Sequence, residues 1–350
     1  MREWAEFLCI ALLPVVLGLA TLRFFRNRVR GRERVSATTL VAGNALLLLA
    51  LSSVVLLGFE TQLRLFYDAS DGDNRTRVSK RWFERHWARN NFHLRDNIDY
   101  ELRRRLSKRR ISFVGDSFTA GHGVPNVEAR YVNLLRARHP EWEVHSIAIH
   151  GLETETEGGL LAKYLGRGYE LDVVVLAYYL ENIGRYVPEL AEYFERAARP
   201  LPQPLRFLVD HSYAVDTFYY RAQTRFLYAQ GYWNDLYERA YAGPAWQEQQ
   251  LAFRRFRRLV VDSSGGFATL TFPTLAGVEG RREILDRIER FWAGEGVPHL
   301  DLLPVLEPYA SRELVANPHD AHPNSFAQRL AADAIERFLL ERVLPENPPR

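Results

Sequence analysis

Apolar residues crowd the start of the chain and are spaced out after it. Phe7–Leu22 runs sixteen residues without a charge, and Ala37–Phe59 runs twenty-three. Neither has the polar face of an amphipathic helix. Crossing a bilayer takes about 20 apolar residues. The second run is long enough as it stands, and the first reaches that length by extending back through Trp4 at the cost of Glu6. The pattern predicts a transmembrane hairpin in residues 1–59, with spans at about 4–22 and 37–59. A cleaved signal peptide is the alternative for the first run. Against it, Glu3 and Glu6 accompany Arg2, and no small-residue cleavage pattern follows. Two buried core helices are the other alternative, which the length and the missing polar faces oppose.

From residue 111 the pattern alternates. ISFVGD (111–116), EVHSIAI (143–149), DVVVLAY (172–178), FATLTFP (267–273) and VPHLDLL (297–303) read as strands. Between them VEARYVNLLRARHP and TETEGGLLAKYLGRG read as helices. SFAQRLAADAIERFLLERV (325–343) reads as a final amphipathic helix capped by Ser325. Alternating strands and helices predict an α/β domain over 111–345, a mostly parallel sheet covered on both faces. Residues 185–262 are too long for one crossover and predict a helical insertion, rich in aromatics that suit a core, a lid or a substrate groove. Residues 60–110 predict a polar juxtamembrane lead-in. Its run RRRLSKRR (103–110) reads as a solvated basic segment, with an anionic partner as the alternative.

Composition adds limits. At 47% apolar and 25% charged the chain is an ordinary globular protein outside its hairpin, and a net charge of +3 offers no broad basic field for nucleic acid. Cys9 is the sole cysteine, so no intrachain disulfide can form, and no C-x-x-C or His/Cys cluster suggests a metal. The loop RFFRNRVRGRER between the two runs holds six arginines and one glutamate. Positive loops stay in the cytoplasm, so Glu60 onward is expected outside it, on a multi-pass inner-membrane protein.

Ligands of open parallel sheets bind beyond the carboxyl ends of the strands. There the sequence has Ser117 in GDSFTAGHG after the first strand and His150-Gly151 after the second. Glu181-Asn182 follows the third, and His319, Asp320 and His322 of HDAHPN precede the last helix. A serine, a permissive glycine, an amide and a His/Asp pair on one rim suit acyl transfer. The hydroxyl needs a base to take its proton, a carboxylate fixes the imidazole tautomer, and an oxyanion needs preset donors. Each has a plainer reading: Ser117 as a turn cap, His322 as a loop residue, Asp320 as a helix-start carboxylate, Gly151 as a tight turn. His122 and His150, near the same rim, read as loop residues.

GDSFTAGHGV resembles the nucleophile block of the SGNH (GDSL-like) hydrolases, a family named for its Ser, Gly, Asn and His. HDAHPN resembles its Asp-x-x-His block, and Gly151 falls where its glycine block belongs. RWFERHW and NNFHLRD look like the lead-in of membrane-linked members, so the resemblance covers roughly residues 85–343. It implies a flavodoxin-like three-layer sandwich and no metal or organic cofactor. It implies Ser117 as nucleophile, His322 as base and Asp320 as its partner. The oxyanion donors would be the amides of Ser117 and Gly151, with Asn182. Two departures stand out. The acid and histidine are spaced Asp-x-His. In YYLENI, Glu181 takes the place of the family asparagine and Asn182 follows it; an ionised glutamate cannot donate to an oxyanion.

The expected function is extracytoplasmic hydrolysis of ester-linked acyl groups, acetyl among them, on a cell-envelope carbohydrate or lipid. The alternatives are O-acyl transfer to a surface polysaccharide and a non-catalytic binding or assembly role on a degenerate fold. Protein partners are left open. For the topology, a reporter active only outside the cytoplasm should give signal when fused after residue 350 and none at Gly31; the opposite result would invert the orientation.

Overall fold

The computed structural model describes residues 2–190, 192, 201–228, 232–275 and 281–344. Parts of the expected insertion (191, 193–200 and 229–231) and the expected domain end at 345 lie outside the described residues. The chain divides into two units. The first is Met1–Ala69, Arg75–Arg81 and Pro200–Leu227; the second is Ser70–Asn74, Trp82–Arg199 and Tyr228–Arg350.

In the first unit both apolar runs are helical throughout, as α1 (Arg2–Arg28) and α2 (Ala37–Thr61). They run antiparallel and close together. Thr21 Oγ1 donates to the Leu46 carbonyl at 3.4 Å, and a Cβ on Gly43 would lie 2.9 Å from the Phe25 ring. Both are long and apolar enough to cross a membrane. At the end of α2 the Glu60 carboxylate is fully buried. It accepts hydrogen bonds from Arg64 Nε (2.8 Å), Ser212 Oγ (2.8 Å), Tyr213 N (3.2 Å) and Ala214 N (2.9 Å). A carboxylate on the free amides of a helix N-terminus is well matched to the helix dipole. Helix α3 (Arg77–His86) follows in the chain. Among the helices described in the expected insertion, α7 (Leu205–His211) and α8 (Tyr213–Tyr228) belong with this first unit. Helices α9 (Tyr232–Ala242) and α10 (Pro244–Asp262) belong with the second.

The second unit is built on a five-stranded sheet: β1 (Arg109–Gly115), β2 (Trp142–Ala148), β3 (Val173–Tyr179), β4 (Gly266–Phe272) and β5 (His299–Asp301). Every pairing is parallel and the order is β2-β1-β3-β4-β5. That is the order of flavodoxin-like sheets, so the expected α/β class holds. Strands covered on both faces read as unbroken apolar runs, which is why VVVLA in β3 was conspicuous. Helix α5 (Tyr131–Arg138) packs with the final helix α12 (Ser325–Phe338), and α6 (Thr154–Leu165) packs with α10. Helix α11 (Arg282–Gly294) leads into β5. The cap of α12 is Asn324 rather than Ser325; its Oδ1 accepts from the Phe326 and Ala327 amides, both at 3.0 Å.

The stretch expected as a lead-in joins the body of this unit from Trp82 on. Phe92, Leu94 and Tyr100 lie in the same core as the sheet. Two arginines are buried with them. Arg95 donates to the carbonyls of His86, Ala120, Gly121 and Val124. Arg110 binds Glu143 with both Nε (2.9 Å) and Nη2 (3.0 Å), and also takes the carbonyls of Leu102, Arg103 and Glu170. A guanidinium inside a core is tolerated only when its donors are satisfied. Here carbonyls satisfy them, and the carbonyls that Arg95 holds at 120, 121 and 124 belong to the loop after Ser117. The basic run 103–110 is solvated as expected except at Arg110, which is buried.

Candidate functional site

The strand order changes direction between β1 and β3, and open parallel sheets bind ligands beyond the carboxyl ends of the strands at such a point. Ser117 reaches this place from β1. Asp116 Oδ1 accepts from the Phe118 amide at 2.9 Å, capping a single-turn helix α4 (Ser117–Ala120) that starts directly after the strand. Gly115 permits the tight turn: a Cβ there would sit 2.5 Å from Thr119 Oγ1 and 2.9 Å from the Ala177 carbonyl.

Asp320 and His322 enter from a small antiparallel pair, β6 (Val315–Asn317) with β7 (Asp320–Pro323). Residues two apart on a strand share a face. The Asp-x-His spacing therefore points both side chains the same way, and the departure from Asp-x-x-His has a geometric reason. His322 Nδ1 lies 2.6 Å from Asp320 Oδ1, and His322 Nε2 lies 2.8 Å from Ser117 Oγ. Asp320 Oδ1 also accepts the His322 amide at 3.1 Å. With Nδ1–H donating to the carboxylate, Nε2 is left to accept the Ser117 hydroxyl proton. All three residues are buried. Gly123 lets the loop pass the β6–β7 pair: its φ is +82°, and a Cβ would meet the Ala316 methyl at 2.6 Å.

The second oxygen of Asp320 accepts from Ser70 Oγ. It also lies 3.5 Å from His122 Nε2, which sits 2.9 Å from the Asp71 carbonyl. Both neighbours of that nitrogen are acceptors, so it carries a hydrogen. Its Nδ1 then accepts from His150 Nδ1, 3.2 Å away. The His122 ring lies flat on His322, centroids 3.8 Å apart and 10° from parallel. Phe83 packs edge-on against its ring at 4.8 Å.

Three imidazoles thus come together with different electrostatics. Burial and the nearby His322 charge hold His122 well below the ordinary histidine range, and the same causes push His150 down to about 4. Burial also opposes charge on His322. There, however, the Asp320 carboxylate and its hydrogen bond, helped by Asp116 and Glu181, prevail and raise the pKa. Asp320 is held well below the usual carboxylate range: burial works against this, but His322, His122 and Ser70 outweigh it. A proton arriving at neutral pH goes to His322. The ring nitrogens of the three histidines lie within 4.8 Å of one another, yet the cluster is a poor metal cage. Stacked rings send their in-plane lone pairs along parallel planes, and one ion about 2 Å from each nitrogen would need them to converge.

Asn182 lies in the turn directly after β3. Its side chain is buried and its Nδ2 has no hydrogen-bond partner among the described residues, although it lies close enough to Asp116 to steady that carboxyl. Asp116 itself is pushed up to about 6, by burial above all. Glu181 is half-buried. Burial raises its pKa, against hydrogen bonds from Tyr179 and Tyr237 and the charges of His322 and Arg281. Gly151 sits in the turn after β2 with φ +76°, beside His150. Of the residues expected at this site, Ser117, His322 and Asp320 are joined in one hydrogen-bonded series, and Asn182 lies beside Asp116. Gly151 is tied to the series only through its neighbour His150, whose ring centroid is 6.3 Å from that of His322. Sequence reasoning passed over Ser70 and left His122 as a loop residue. His122 follows the Ser117 turn so closely that its amide donates to the Ser117 carbonyl at 2.9 Å, a proximity that could have flagged it, whereas nothing local marks Ser70.

No protein-family model matches the chain, and no curated protein is similar to it. Among solved structures, it is similar to a two-domain esterase active on acetylated mannans, at 13% identity over 80% of this chain, with a TM-score of 0.40. The chain spans 56% of the length of that protein. It is also similar to a member of the lipolytic protein G-D-S-L family from Veillonella parvula DSM 2008, at 13% identity over 67% of this chain and 97% of that one, with a TM-score of 0.38.

The electrostatics predict a histidine NMR titration of the full chain in detergent. His322 should titrate above the ordinary value of about 6.5. Asp320→Asn should lower it, because the largest influence opposing burial is then gone, while in the wild type His150 stays neutral down to about 4. A His322 resonance that Asp320→Asn leaves in place would contradict the assignment.

Proposed function

We propose that the chain is a serine esterase of SGNH type, held at a membrane by α1 and α2 with its catalytic unit outside the cytoplasm. The observation that carries the reading is the unbroken series Ser117–His322–Asp320, at 2.8 and 2.6 Å, beyond the strand ends where sheets of this order bind ligands. The membrane reading is supported by the outward apolar surface of the two helices, where Leu12, Val16, Leu19, Leu48, Leu51 and Val55 are all exposed.

Chemistry follows from the hydrogen positions. Ser117 Oγ attacks the ester carbonyl as its proton passes to His322 Nε2, and Asp320 stabilises the imidazolium. The oxyanion is received by the amides of Ser117 and Gly151 and by Asn182 Nδ2. Among the described residues the buried Nδ2 has only the nearby Asp116 carboxyl to steady; a buried donor so poorly met is costly, and a developing oxyanion would complete it. The C–O bond then breaks, and the leaving alcohol takes the proton from His322. Water attacks the acyl-serine with His322 again as base, releasing the carboxylic acid and restoring Ser117. Burial works against charge on Glu181, and hydrogen bonds from Tyr179 and Tyr237 occupy its carboxyl.

The test is turnover of an aryl acetate by the full chain. The rate should rise with pH through the raised pKa of His322, since only the neutral imidazole accepts the proton. His322→Ala should cost about 10²–10⁴-fold. Asn182→Ala should cost about 10²–10³-fold if it donates to the oxyanion, and almost nothing if backbone amides suffice. Equal, feeble turnover by the wild type and both variants would favour a binding role.

A further inference from the structure

The first unit exposes apolar side chains where neither span accounts for them. In α7, Phe207 is 55% and Leu208 48% exposed, and in α8, Phe218 is 45% exposed. The opposite side of this segment is buried, through Val209, Tyr213 and Ala214. Arg206 and Asp210 pair at 3.6 Å along one edge of the exposed arc of α7, which leaves Phe207 and Leu208 along the other.

The depth of this surface can be read from α2. Phe59 ends the uncharged run that begins at Ala37. At a rise of about 1.5 Å per residue, those two residues stand about 33 Å apart. A bilayer's hydrocarbon core is about 30 Å thick, so if Ala37 lies at one boundary, Phe59 lies at the other. Phe218 packs edge-on against Phe59 with ring centroids 5.0 Å apart, and so shares its depth. Several bonds fix that position. Glu60 caps the start of α8, Tyr213 Oη donates to Glu3 Oε1 at 2.9 Å, and Arg64 Nη2 donates to the His211 carbonyl at 3.2 Å. The joint between α7 and α8 is thereby tied to the same ends of both spans. Trp4, 60% exposed near the start of α1, adds an aromatic of the kind enriched at membrane boundaries.

We propose that α7 and the first turns of α8 form a third membrane contact, an in-plane element whose Phe207, Leu208 and Phe218 enter the boundary between lipid headgroups and acyl chains. The inference rests on the reading of α1 and α2 as spans. Amphipathic segments of this kind lie in the interface with their apolar side chains a few ångströms into it. The contact would restrain the tilt and depth of the hairpin in the bilayer.

The test is spin-label accessibility on the full chain in phospholipid vesicles. Cys9→Ser provides the background, and nitroxides are attached after Phe207→Cys, Phe218→Cys, Leu49→Cys or Leu106→Cys. Leu49 lies within the second span, and Leu106 is 91% exposed and serves as the aqueous reference. The ratio of oxygen to nickel-chelate accessibility at 207 and 218 should be several-fold above that at 106 and below that at 49. Values at 207 and 218 equal to 106, with 49 deep, would overturn the proposal and leave the spans standing. Labels at 207 and 218 shielded from both reagents would overturn it in favour of a protein contact. An aqueous value at 49 would sink the membrane reading itself, and this proposal with it.

Discussion

Asp320 is a carboxylate buried without a guanidinium or ammonium beside it among the described residues. An isolated charge in such a place is untenable, so its oxygens must be met by donors. One oxygen takes the ring and backbone N–H of His322. The other takes Ser70 and faces His122 Nε2. These donors come from residues 70, 122 and 322, far apart in the chain, and this one constraint draws them together. It also settles the protonation of the site. A carboxylate that must be satisfied holds His322 Nδ1–H towards itself, which aims the bare Nε2 at Ser117.

The surrounding structure serves that arrangement. The change of strand direction puts Ser117 and Asn182 on adjacent strand ends, and the short β6–β7 pair carries Asp320 and His322 on one face. Arg95, from below, holds the carbonyls of the loop that bears His122 and Gly123. The stacked, neutral His122 ring gives an imidazolium at 322 a polarisable surface to lie on. On the proposed reading, this is how a buried histidine can accept a proton during each half of the cycle without swinging away.

Much of this was legible in the sequence where chemistry and periodicity coincide. The five strands were found within two residues of their ends, because parallel strands covered on both faces are continuous apolar runs. Ser117 was picked out because it follows the first strand, and Asp320 and His322 because they precede the last helix. The lead-in was misread because Arg95 and Arg110 look like surface residues. Nothing in NNFHLRD reveals that carbonyls 25 to 29 positions away will satisfy a guanidinium. The insertion was read as one block, since helical periodicity does not say which unit a helix packs with; the bonds of Glu60 to Ser212 and Ala214 decide that, and they span some 150 positions. Ser70 was invisible for the same reason. The Asp-x-His spacing seemed a defect only while the segment was taken for a loop before a helix, and on a strand it is the natural spacing.

The central claim is that His322, held by Asp320, makes Ser117 nucleophilic. Incubating the full chain with a fluorophosphonate probe and locating the adduct by peptide mass spectrometry tests it without knowledge of the natural ester. The account predicts one adduct per chain, on Ser117, lost in Ser117→Ala and formed far more slowly in Asp320→Asn, with both variants folded. An adduct on another serine, or a folded wild type that does not react, would contradict it.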